Sequence, residues 1–147
     1  MRKLVVFLAV GATAALVFTA LSSARQADNH KLKATLNAAQ EVPTQAVANT
    51  AGVGSFTGTL TGSKLKWKLT FSKLSGPATA AHIHLGGKGK AGNVIVPLCG
   101  PCKSPMSGTA VLTSAVRDQI EKHGTYVNVH TAKNPAGEIR GQVSQHG

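Results

Sequence analysis

The chain has 147 residues, enough for one ordinary domain and short for two. Sixteen Lys and Arg against five Asp and Glu give a formal charge of +11, which favours anionic partners and excludes an acidic surface. The two cysteines allow one disulfide at most.

Arg2 and Lys3 precede a continuous apolar run, Leu4 to Leu21, and Ser22-Ser23-Ala24 supplies the small residues a signal peptidase cuts at. Residues 1–24 are therefore predicted to be a secretory signal, with an uncleaved anchor as the alternative. No cysteine lies near its end, so a lipid-modified start is not expected. Taking Arg2 and Lys3 from the formal +11 leaves +9 on the exported part. Residues 25–31 are read as a flexible leader and 32–144 as the domain, with no later segment able to span a membrane.

From Leu32 onward apolar and polar residues alternate with the period of a half-buried strand. Leu32, Ala34 and Leu36 share one face of a first strand, and Phe56, Gly58 and Leu60 one face of a second. Thr61-Gly62-Ser63 reads as the hairpin connection to a third. There Leu65, Trp67, Leu69 and Phe71 alternate with Lys64, Lys66, Lys68 and Thr70. No aromatic residue shares the face of those lysines, so a specific nucleic-acid platform is not expected. Val94, Val96 and Leu98 form another predicted face, and so do Ile139, Gly141 and Val143.

One stretch breaks the pattern. Ser114 to His123 pairs Val116 with Ile120 and Arg117 with Glu121 at a spacing of four, follows a Thr-Ser capping pair and stops before Gly124. A short helix is predicted there, with His123 at its end, where a cation is favourable. Seven or eight short strands with one helix indicate an all-β, immunoglobulin-like or Greek-key sandwich or barrel.

Two segments look alike: Ala81-His82-Ile83-His84 before a glycine-rich loop and a return strand, and Tyr126-Val127-Asn128-Val129-His130 before Asn134-Pro135-Ala136-Gly137-Glu138-Ile139-Arg140. Alternation puts His82 and His84 opposite Ile83, and His130 opposite Val127 and Val129, so all three imidazoles are predicted on the polar outer face. If the hairpins are neighbours, the three suit copper or zinc and leave a coordination position open. The competing reading makes each histidine a pin for its own loop through carbonyl hydrogen bonds. His30 and His146 join only if the termini fold back. Glu138 and Arg140 share an outer face and are read as a local ion pair, with Arg140 as an anion guide beside the histidines in the functional reading.

Cys99-Gly100-Pro101-Cys102 is expected to be a disulfide closing a very tight loop in an exported chain. The spacing also matches thioredoxin's redox motif, but that chemistry needs the first cysteine at the start of a helix. Here loop and strand surround it, and a structural pair is expected.

Four pieces in order resemble the CHRD domain, the module named after chordin: Leu36-Asn37-Ala38-Ala39-Gln40-Glu41-Val42-Pro43, Ala80 to Gly86, Tyr126 to Thr131, and Asn134 to Val143. The resemblance runs from about Leu32 to Val143 and implies an immunoglobulin-like β-barrel in an extracellular setting, with a distant likeness to Cu/Zn superoxide dismutase. That likeness implies a copper-like ion on His82, His84 and His130. Gly86 to Pro105 contains neither histidine nor acidic residue, so no companion zinc site is expected. The leading reading is a secreted or envelope-associated binding or structural module; the alternatives are a copper-dependent redox enzyme of dismutase-like architecture and a basic adhesion or matrix module for anionic polysaccharide. An unidentified protein partner fits the first of these.

Overall fold

The computed structural model describes residues 29–44 and 47–146. The expected signal segment and the first part of the leader lie outside them. In chain order the strands are β1 (Asn29–Asn37), β2 (Val53–Thr61), β3 (Lys64–Ser72), β4 (Ala78–Leu85), β5 (Val94–Cys99), β6 (Met106–Val111), β7 (Thr125–Thr131), β8 (Ile139–Gln142) and β9 (Ser144–His146). A 3-10 turn, Ala38–Gln40, follows β1, and the helix α1, Ser114–Lys122, precedes β7. Among the described residues no helix is long and apolar enough to cross a membrane.

All pairings are antiparallel, in the order β5-β4-β7-β8-β1-β2-β3-β6, with β9 beside β1. The end strands β5 and β6 approach each other, so the sheet curls into a nearly closed barrel. This is the all-β class expected. The predicted leader needs one correction: Asn29, His30 and Lys31 already pair with Thr61, Leu60 and Thr59, so the ladder begins before residue 32.

The core follows the alternation. Leu32, Leu36, Phe56, Leu60, Leu65, Leu69, Ile83, Val127, Val129 and Ile139 point inward and are at most 1% exposed. Each such side chain contributes about 1.5–3 kcal/mol by leaving water. Ile120 closes the barrel from α1, which Thr113 caps by accepting the Val116 N–H and His123 terminates, as the sequence indicates. The hairpin at Gly62 also forms as predicted, with φ at +56°.

On β5 the simple alternation fails. His82 pairs with Pro97, Ile83 with Val96 and His84 with Val94, so extra residues in β5 break its parity. Val94, expected to share a face with Val96, is consequently exposed while Val96 is buried. β5 lies at the end of the sheet order, where Pro97 can be tolerated without an N–H to donate. Cys99 and Cys102 are joined as a disulfide in the strand-to-loop setting expected, with Cα atoms 5.3 Å apart.

Candidate metal centre

The two look-alike hairpins are neighbours: β4 pairs with β7 across Ala80–His130, His82–Asn128 and His84–Tyr126. The strands run oppositely, so His130 lies diagonally from His82 and the three imidazoles gather on one patch. Ring centroids are 5.0 Å apart for His82–His130, 5.6 Å for His82–His84 and 5.8 Å for His84–His130. One nitrogen from each lies within 4.8 Å of the others. His30 and His146 stay elsewhere, beside Glu121 and Ser144 respectively.

The face is outward from the barrel, as alternation requires, but it does not face solvent. Every residue of β7 is buried, and His84 and His130 are each only 8% exposed. Three segments roof the patch: the loop between β4 and β5, the turn between β7 and β8, and the chain around Glu41. Polarity on a strand's outer face ordinarily marks solvent; here it marks a second, polar interior covered by loops.

The roof fixes the tautomers. His84 Nδ1 lies 3.0 Å from Gly92 O and His130 Nδ1 lies 3.1 Å from Pro135 O. A carbonyl only accepts, so each neutral ring carries its proton on Nδ1 and turns an unprotonated Nε2 into the cluster. His84 Nε2 is buried with no hydrogen-bond partner. His130 Nε2 sits 3.2 Å from His82 Nδ1, which donates to it. The loop-pinning and metal-binding readings are therefore compatible, because pinning at Nδ1 is what frees Nε2.

Burial lowers the pKa of all three. It brings His130 down to about 4, helped by His82 and His84 and opposed by the Pro135 carbonyl. For His84 burial dominates, with the Gly92 carbonyl opposing and Arg140 assisting; for His82 burial acts with His84. Three imidazoles held neutral at pH 7 are three lone pairs ready for a cation.

Gly92 and Tyr126 complete this corner. The Tyr126 hydroxyl accepts the Gly92 N–H at 3.1 Å and approaches its carbonyl at 3.3 Å. A Cβ at position 92 would lie 1.6 Å from Leu85 O, so only glycine fits. The Tyr126 ring stacks on His84, with centroids 4.8 Å apart and planes 11° apart, and the Arg140 guanidinium lies 3.4 Å from the centre of the same ring. Because β7 runs between β4 and β8, the ring separates His84 from Arg140.

Arg140 and Glu138 do not have the roles predicted for them. Arg140 is 2% exposed, and its Nη2 donates to Gly87 O at 3.0 Å and Lys90 O at 2.8 Å, which pins the loop over the histidines rather than guiding an anion from solvent. Glu138 makes no ion pair with it. Its carboxylate is fully buried and accepts from the Ser75 N–H and hydroxyl, the Thr131 hydroxyl, Asn49 and Asn134. Burial alone would raise its pKa, but these donors outweigh it and hold the group at about 2. Glu138 thereby ties the turn that presents Pro135 O to His130.

Sequence reasoning missed Tyr126, Gly92, Asn128 and Glu41 as parts of this patch. Tyr126 and Asn128 share the His130 face, and that parity was the available signal. Glu41 is reached only through folding: Asn128 donates to its Oε2 at 3.3 Å, while Glu41 Oε1 and Asn128 Oδ1 are buried without partners. Burial pushes the Glu41 carboxyl up to about 7, against the opposing effects of Asn128 and Arg140.

No curated protein and no solved structure matches the chain significantly. Residues 32–143 match the CHRD domain family, and that span carries the three histidines and every roofing residue named above. The chain belongs to the CHRD domain family.

Proposed function

We propose that this CHRD domain is an exported binding module whose His82, His84 and His130 hold one copper-like ion. The observation that carries the reading is His84 Nε2, a buried acceptor without a partner, directed by the Gly92 carbonyl toward two further imidazoles. Metal–imidazole bonds of about 2.0–2.1 Å place tetrahedral or trigonal ligands roughly 3.3–3.6 Å apart. The 3.2 Å edge between His82 Nδ1 and His130 Nε2 is near that separation, so an ion would take the place of the shared proton. An all-nitrogen set suits copper or zinc. With three protein ligands, a bound ion would keep a position for an exogenous ligand.

The chain's own residues do the rest. Gly92 O and Pro135 O orient two rings, Tyr126 backs the His84 ring, and Arg140 holds the roof. Export is supported by the predicted signal segment, residues 1–24, and is compatible with the Cys99–Cys102 disulfide. A copper-dependent redox enzyme is the second reading. His82, the least buried of the three, provides the side from which a small reactant would approach.

The test is bound metal per chain after dialysis against copper and zinc in turn, beside an H82A/H130A variant. About one retained ion in the parent and none in the variant supports the site. No retained ion in either sinks it, together with the redox reading. Superoxide turnover by the loaded parent is then needed to make the protein an enzyme.

A further inference from the structure

A second surface lies on the opposite part of the sheet. Where β1, β2 and β3 run side by side, the register sets Lys31 opposite Thr59 and Lys66, and Lys33 opposite Thr57 and Lys68, so one row of lysines lies along β1 and another along β3. All four lysines are exposed, and Trp67 between two of them turns inward to the core. The result is a strip of hydroxyls along β2 flanked on each side by two ammonium groups. The lysine rows are about 9.5 Å apart, two interstrand spacings, and successive lysines along a strand are about 6.8 Å apart. Together with Leu32, Gly58 and Trp67, these six residues line a shallow groove of about 360 Å³. Lys31 Nζ already leans across it to Thr59 Oγ1 at 3.2 Å.

No described carboxylate neutralises the strip. Glu41 and Glu138 are buried around the histidine patch, and Asp118 and Glu121 are paired with Lys122 and Arg117 on α1. We propose that this groove docks a linear acidic polysaccharide, lying along β2 with its charges between the lysine rows and its hydroxyls on Thr57 and Thr59. Charge complementarity identifies the sign of the partner, and the threonine floor offers both donors and acceptors to sugar hydroxyls. The rows carry no aromatic side chain for stacking bases and no apolar wedge for entering a bilayer, which favours a glycan over single-stranded nucleic acid or a lipid surface.

The probe is polygalacturonate, with dextran as the uncharged control, at low and physiological salt. K31E/K33E and K66E/K68E are each expected to weaken binding at least tenfold at low salt. K103E/K133E, with the same charge change away from the groove, is expected to weaken it less than threefold. Thermal unfolding of each variant verifies that the fold is retained; K66Q/K68Q, expected to fall between parent and K66E/K68E, replaces any reversal that unfolds. Three results overturn the proposal: no salt-sensitive binding to polygalacturonate, equal loss in K103E/K133E, or tighter groove-dependent binding to phosphatidylglycerol vesicles or oligo-dT than to the glycan.

Discussion

Replacing Glu138 by Gln tests whether a buried carboxylate organises the turn behind His130. The carboxylate receives donors on both oxygens: Oε1 from Ser75 N–H and Asn49, Oε2 from the Ser75 and Thr131 hydroxyls and Asn134. A glutamine amide keeps one oxygen and sets its NH2 against donors on the other side. The depression from 4.5 to about 2 corresponds to roughly 3 kcal/mol of folding stability, at 1.36 kcal/mol per unit. Its folded pKa lies below its unfolded value, so this stability is fully present above about pH 4.5 and is lost as pH falls through about 2. Urea unfolding of parent and E138Q at pH 7, 5, 4 and 3 should show a gap of roughly 3 kcal/mol at pH 7 that narrows below pH 4.5. A gap under about 1 kcal/mol at pH 7, or one constant down to pH 3, would refute the reasoning.

The His130 contribution to stability should also fall on mild acidification. His130 has a folded pKa of about 4 against 6.5 unfolded, so lowering pH through that window favours the unfolded chain. Between pH 7 and pH 5 this loss is roughly 2 kcal/mol, and Glu41, raised to about 7, gains a similar amount. The readout is therefore the parent measured against H130Q: the stability difference should shift by roughly 2 kcal/mol over this range, and a constant difference contradicts it. R140M leaves the Gly87 and Lys90 carbonyls without their charged donor, at a cost of about 2–3 kcal/mol. Amide exchange in the loop from Gly86 to Gly92 should accelerate in that variant; unchanged protection would show that Arg140 does not hold the roof. G108A puts a Cβ 2.5 Å from the Trp67 ring, and about 1–3 kcal/mol should be lost as the indole shifts. Trp67 is the single tryptophan, so an unaltered emission spectrum rules that packing out.

Most of the barrel was legible in the chain. Strict alternation in Lys64 to Phe71 or Leu32 to Leu36 leaves one face that must be buried, and β1 and β3 obey it. The Ser114 helix announced itself by the change of period and by its cap. The Val94 face was misread because a bulge is set by how two strands meet, and parity within one strand cannot show it. The early start of β1 went unread for a similar reason: Asn29 and Lys31 are polar, and only pairing with β2 orders them.

The sequence by itself determined which residues form the core and which face each histidine takes, because side-chain alternation is a local property of the strand. It also supplied the family, through four short motifs in order. Only the tertiary structure decided that β4 lies beside β7, that the polar face is roofed rather than wet, and that Arg140 and Glu138 serve separate loops instead of each other. Those outcomes rest on contacts between segments far apart in the chain. A buried carbonyl seeks whichever donor the fold brings to it, and no local pattern names that donor.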